Sequence, residues 1–148
     1  MSKSNNNIST NRKALYEYQL FDKFEAGIQL LGSEVKAIRE NKVSLKEAYI
    51  RIKNNELYII GMNISEYSHK GYSTHEPTRE RKLLVHRSEI IKIKKSIEEK
   101  GMTIVPTSLY YKNRLIKISF AVAKGKKLWD KRKYKKDKDI EREMKRLK

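Results

Sequence analysis

Three histidines, His69, His75 and His86, are the first residues to ask for catalytic chemistry. No two of them have the H-x-x-x-H spacing that sets a metal pair on one helix face. The chain has no cysteine, which excludes a thiolate metal site, a disulfide scaffold and a cysteine nucleophile. Neither G-x-x-x-x-G-K-[ST] nor G-x-G-x-x-G occurs, and Ala123-Lys124-Gly125-Lys126-Lys127 reads as a loop lacking the rest of a phosphate-loop pattern. His75 with Glu76 or Glu34 could act as an acid–base pair on a phosphodiester. No nucleophile or oxyanion donor set accompanies that pair. The expectation is therefore no catalytic residue, no metal and no cofactor.

Binding chemistry is better represented. The densest constellation is His75-Glu76-Pro77-Thr78-Arg79-Glu80-Arg81-Lys82-Leu83-Leu84. Pro77 and Thr78 predict a helix start with Thr78 as the cap, so that Arg79 and Lys82 share one face with Arg81 beside them. A guanidinium can fork onto a phosphate there. The same run reads equally well as an ordinary basic helix, with Leu83 and Leu84 packing inward. Trp129 stands in the charged stretch Trp129-Asp130-Lys131-Arg132. It can stack on a base, worth ~1–3 kcal/mol, or pack back on the rim of the domain.

The charge balance says what such groups would meet. Over 148 residues, 35 Lys and Arg oppose 18 Asp and Glu, a formal net charge of +17. Nucleic acid is the default partner for that surplus. The alternative is a solvated lysine-rich surface, since Lys outnumbers Arg 25 to 10. Residues 124–148 hold 13 basic and 5 acidic side chains, a net of +8, or about half the surplus in about a sixth of the length. Such a segment repels itself, and the expectation is disorder until a polyanion neutralises it. Ile140, Met144 and Leu147 keep a helical stripe near its end, which predicts a helix formed on a partner. No run approaches the roughly eighteen apolar residues of a membrane span, and residues 1–10 are polar. A cytoplasmic protein with no membrane partner is expected, with 1–10 disordered, 11–123 folded and 124–148 a basic tail.

The elements that must position these groups read mainly as strands. Tyr16, Tyr18 and Leu20, then Phe24, Ala26, Ile28 and Leu30, alternate, and Asp22 interrupts them with a bulge or break. Ala48, Ile50 and Ile52 lead through Asn54-Asn55, a two-residue hairpin turn, into 56–64. A second hairpin joins 102–111 to 115–123 across Lys112-Asn113-Arg114, with Ile116, Ile118, Phe120 and Val122 on one face and Lys117 and Ser119 on the other. Short helices are predicted after Ser33, after Ser44 (capping-box spacing to Glu47), and from Ser88 to a stop at Gly101 with Ile90, Ile93 and Ile97 inward. Five or six antiparallel strands in about 110 residues predict a mainly β fold, a small OB-like barrel with short accessory α-helices.

Five stretches then share one resemblance: Asn11-Arg12-Lys13-Ala14, Phe24-Glu25-Ala26-Gly27, Gly32-Ser33-Glu34-Val35-Lys36, the run from His75 to Leu84, and Ala123-Lys124-Gly125-Lys126-Lys127 with Asp130-Lys131-Arg132. In this order they resemble the SsrA-binding protein family, or small protein B, which serves transfer-messenger RNA in bacteria. The resemblance implies an OB-like barrel that binds the tRNA-like domain of that RNA. It further implies delivery to stalled ribosomes, in a complex with elongation factor Tu, so that the unfinished peptide is tagged and the ribosome freed. The RNA contacts it implies are Asn11, Glu25 and Leu84. Arg12, Lys13, Arg79, Arg81 and Lys82 from the matching motifs join that set. Lys124, Gly125, Lys126, Lys127, Trp129, Asp130, Lys131 and Arg132 match the tail that enters the decoding centre and the empty messenger channel.

Two positions depart from the family pattern. Glu76 stands where Asp is usual, and Trp129 where His or Tyr is common. The second swap keeps a stacking role and puts a hydrogen-bonding role of the ring tip in doubt. Glu25 can accept hydrogen bonds from base amino groups or ribose hydroxyls, or form a salt bridge within the sheet. The residues also leave two rival readings: a protein bound permanently to ribosomal RNA, and a metal-independent ribonuclease using His75.

Overall fold

Two tight turns set the register of the molecule. In the computed structural model, which describes residues 6–66 and 75–126, Asn54 and Asn55 have φ of 51° and 60°, and Asn113 and Arg114 have 51° and 67°. Paired positive φ matches the right-handed twist of the flanking strands. The first turn joins β4 (Tyr49–Lys53) to β5 (Glu56–Ile60). The second joins β8 (Thr103–Lys112) to β9 (Leu115–Gly125) and uses only the last two residues of the expected three-residue loop.

Around these hairpins lie β1 (Asn7–Thr10), α1 (Arg12–Glu17), β2 (Tyr18–Ile28), α2 (Gly32–Arg39), β7 (Arg81–Leu84) and α3 (Arg87–Lys100). A small ribbon, β3 (Val43–Ser44) with β6 (Asn63–Ile64), stands apart. β8 pairs with β4, which pairs with β5, then β7, β2 and β9, and β9 returns to β8. The antiparallel sheet therefore closes on itself, with β1 added along β8. This is the expected mainly β, OB-like barrel architecture. Its core is the inward set Ile50, Leu57, Ile59, Leu83, Ile104, Leu109, Ile118, Phe120 and Val122, with Ile90 and Ile93 of α3 packed against it.

Several expectations change. Residues 7–10, expected to be disordered, form β1 because β8 offers them a free edge. Residue 16 lies in α1 rather than in a strand, because the Asn11 side chain caps that helix by accepting from Ala14 N–H at 3.3 Å. The predicted bulge at Asp22 is present as a register shift between Leu20 and Lys23. Ser44 accepts from Lys46 N–H in a local turn at 3.3 Å, and no helix follows it. The strand expected through Ile64 breaks at Gly61 (φ +81°), where a Cβ would lie 2.5 Å from the Glu47 carbonyl oxygen. Residues 124 and 125, assigned to the tail, continue β9 opposite Gln19 and Tyr18.

The largest correction concerns the run after Thr78, which is a strand rather than a basic helix. β7 fills the slot between β5 and β2, with Leu57 opposite Leu83 and Gly27 opposite Leu84. Extended backbone sends Leu83 into the core and Leu84 to the surface, where a helix was expected to turn both inward. Local capping signals are weak against the completion of a closed sheet.

Candidate nucleic-acid interface

The turn from helix to strand decides the role of each cation in this run. Arg81 is fully buried, so the sequence-level reading of it as a phosphate contact is corrected. Its Nε donates to Glu34 Oε2 at 2.7 Å, and its other nitrogens donate to the Met62 and Pro77 carbonyl oxygens at 2.7 and 3.1 Å. Glu34 is equally buried. Arg79, half-buried, donates to Glu34 Oε1 at 2.7 Å, and the Leu31 N–H donates to the same oxygen at 2.7 Å. That last bond, rather than a Ser33 cap, starts α2. Burial pushes the Glu34 carboxyl up, but hydrogen bonds from Arg79, Leu31 and Arg81 outweigh it and hold the pKa below the ordinary value. Burial lowers the Arg81 pKa, with the Glu34 hydrogen bond opposing.

His75 belongs to the same anchor. Its Nε2 lies 2.7 Å from the Ile64 carbonyl oxygen, so this nitrogen carries the proton, and its Nδ1 lies 2.9 Å from the Ser33 hydroxyl. Both ring nitrogens are engaged and the ring is buried, which leaves no face for the acid–base role considered for it.

Asn11 is also an internal tie. Beyond capping α1, it donates through Nδ2 to the Pro106 carbonyl oxygen at 2.9 Å and is only 5% exposed. Arg12 and Lys13 are exposed beside it on α1, with Lys13 Nζ 3.9 Å from Glu47. Lys124 and Gly125 are exposed at the end of β9, and Lys126 ties back to the Leu15 carbonyl oxygen at 3.3 Å. Lys127, Trp129, Asp130, Lys131 and Arg132 lie outside the described residues.

Two of the candidate contacts, Glu25 and Leu84, come together on the outer face of the barrel. Glu25 and Gly27 project outward from β2, because the alternate residues Phe24, Ala26 and Ile28 turn to the core. Gly27 pairs with Leu84 on β7 and with Lys117 on β9. Tyr110, opposite Lys117 on β8, donates its hydroxyl to Glu25 Oε2, and Lys112 Nζ donates to Oε1 at 3.0 Å. These two hydrogen bonds, Tyr110 first, hold the Glu25 carboxyl below its ordinary range, so it is ionised at neutral pH. Burial and the Glu25 contact push the Tyr110 hydroxyl pKa well up, so it stays a donor. Lys82 continues the face from β7, half-exposed, with Nζ 3.7 Å from Glu56. Tyr58 on β5, opposite Lys82, lies under Lys53 Nζ at 5.6 Å from the ring centre.

The face thus mixes cations with carboxylates, Glu25 held by Tyr110 and Lys112 and Glu80 held by Lys53 at 2.8 Å, beside the exposed Leu84. Such a surface suits phosphates together with a few unstacked bases. Sequence reasoning missed Tyr110, Lys112 and Lys117 as neighbours of Glu25. Alternation marked Lys117 as outward-facing, but no local signal gives the cross-strand pairing that unites them.

The profile of the SmpB protein family matches residues 8–148. The SsrA-binding protein of Oleidesulfovibrio alaskensis is 48% identical over 139 residues, covering 94% of this chain and 90% of that protein. The SsrA-binding protein of Deinococcus radiodurans is 45% identical over 140 residues, covering 95% and 98%. Among solved structures, a chain described under "tmRNA-SmpB: a journey to the center of the bacterial ribosome" superposes with a TM-score of 0.66 at 37% identity, covering 80% of this chain and 84% of that one.

Proposed function

The chain belongs to the SmpB protein family, and from that premise we propose that it is an RNA-binding adaptor for transfer-messenger RNA. It binds the tRNA-like domain of that RNA and brings it to stalled ribosomes, with elongation factor Tu in the delivery complex. The observation that carries this reading is the outer face on which Glu25, Leu84, Lys112 and Lys117 meet. Similarity to SsrA-binding proteins over nearly the whole chain supports it.

Work divides between two regions. The barrel face, with Glu25, Leu84 and Lys82, holds the folded RNA, and Arg12 and Lys13 add cations from α1. Asn11, Arg79 and Arg81 serve it indirectly, by fixing α1 and the approach to β7. The segment from Lys127 onward occupies the decoding centre and the empty messenger channel, where Trp129 stacks, and Lys124, Gly125 and Lys126 anchor its root to the barrel. A non-enzymatic role fits the engagement of both His75 nitrogens, and a cytoplasmic location follows from the stalled ribosomes it would serve. Among the described residues, no helix is long and apolar enough to cross a membrane.

Sequencing the RNA that co-purifies with the protein tests the assignment. Transfer-messenger RNA should dominate. Ribosomal RNA alone, retained with intact subunits at high salt, would instead make it a permanent ribosomal component.

A further inference from the structure

Helix α3 carries an isoleucine that the barrel does not use. Ile90 and Ile93 are buried in the core and Ile97 packs against it, whereas Ile91 is 60% exposed. A single exposed aliphatic residue is ordinary on a protein surface. This one lines a cavity of about 690 Å³ where α3 meets the β4–β5 turn. Val85 and Ile90 add apolar surface to the lining. Among the described residues no aromatic side chain does.

The charges around this cavity are not balanced. Arg87, Ile91 and Lys95 follow one another at i, i+4 and i+8 on α3 and all three are exposed. That spacing sets them in one row along the helix, about 12 Å from end to end. Among the described residues, neither Arg87 nor Lys95 has an ion-pair partner. Other polar groups of the lining are engaged, Glu56 with Lys82 at 3.7 Å and Lys94 with the Asn55 side chain at 3.4 Å. A row of cation, isoleucine and cation is complementary to carboxylate, aliphatic side chain and carboxylate. Residues i, i+2 and i+4 of an extended chain lie on one face and span roughly 13 Å, which matches the row.

The lining argues for protein over nucleic acid. Single strands are held by aromatic platforms in cationic grooves. Here the surface is aliphatic, and the carboxylates of Glu56 and Glu98 belong to it. The cavity also adjoins the barrel face assigned to RNA, since Val85 follows Leu84 and Glu56 reaches Lys82. An occupant therefore sits beside the bound RNA without sharing its contacts.

We propose that this groove docks an acidic segment of a protein partner, extended along α3 with an aliphatic residue midway between two carboxylates. The aliphatic side chain enters the cavity against Ile91 and Val85, and the carboxylates meet Arg87 and Lys95. The docking site does not depend on which RNA the barrel binds.

A synthetic peptide with two glutamates four positions apart and a leucine midway tests it. The peptide is titrated into the full chain at low salt and followed by calorimetry and backbone amide NMR. Shifts should centre on Val85 and residues 87–95. Ile91→Ser should weaken binding by roughly tenfold or more, the effect of one buried aliphatic side chain. Its melting temperature and its affinity for the tRNA-like domain should stay at the parent values. The double variant Arg87→Glu with Lys95→Glu should lose this peptide and take up its counterpart with lysines in place of the glutamates. Absence of binding, equal binding by Ile91→Ser, or a double variant that does not exchange peptides overturns the docking site. Loss of RNA affinity in a folded Ile91→Ser overturns it too and gives the groove to RNA.

Discussion

At the residue scale, the charged groups of the run from His75 to Leu84 divide by burial into anchor and interface. Glu34 and Arg81 are both fully buried and satisfy each other, while the half-exposed Arg79 adds a second guanidinium to the same carboxylate. A buried pair adds little over a well-packed apolar pair, but breaking it leaves an uncompensated charge. Glu34→Gln should therefore cost about 3–5 kcal/mol, read from chemical denaturation. The same carboxylate sets an acid limit. Folding lowers its pKa, so the folded state binds fewer protons than the unfolded chain. Its stabilisation is complete above the unfolded carboxyl value of about 4.3 and fades as pH falls through the lower folded value. Denaturation midpoints of the parent chain should drop across that acid window, and the part of the drop due to this carboxylate should vanish in Glu34→Gln.

At the element scale, strand β9 links the two proposed activities. Its beginning presents Lys117 to the RNA face, and its end carries Lys124 and Gly125, paired to β2, toward the residues of the basic segment. The covalent link is short, but the functions belong to different surfaces. Removing the residues after Trp129 should leave affinity for the tRNA-like domain nearly intact and abolish peptide tagging on stalled ribosomes. Binding titrations and a tagging assay check the two halves. A large loss of RNA affinity on truncation would show that the tail shares in holding the RNA.

At the scale of the whole molecule, a formal net charge of +17 makes RNA association electrostatic and sensitive to salt. The logarithm of the binding constant should fall linearly with the logarithm of salt concentration. Lys117→Ala should lower that slope by about one, the signature of a single phosphate contact. Titrations over a salt series read both quantities, and an unchanged slope would remove Lys117 from the phosphate contacts.

Much of this protein is local, and that part was legible in its sequence. Asn54, Asn55 and Asn113 adopt positive φ, a preference of asparagine itself, whereas Arg114 is held there by the closing of the β8–β9 hairpin. The outward placement of Lys117 and the inward placement of Phe120 follow from a period of two, and the stop of α3 at Gly101 from its left-handed conformation. The charge surplus needs only counting. The strand at Arg81–Leu84 was not legible, because its local signals favour a helix start and its extended form is stabilised by β5 and β2. The same holds for the Glu34 anchor and for the meeting of Glu25 with Tyr110 and Lys112. Each joins residues dozens of positions apart, and their meeting depends on how the closed sheet fixes register between strands. Local side-chain chemistry could name Glu25, Leu84 and Lys117 as candidates, but only barrel closure decided that they share one face, while Arg81 lies beneath the surface.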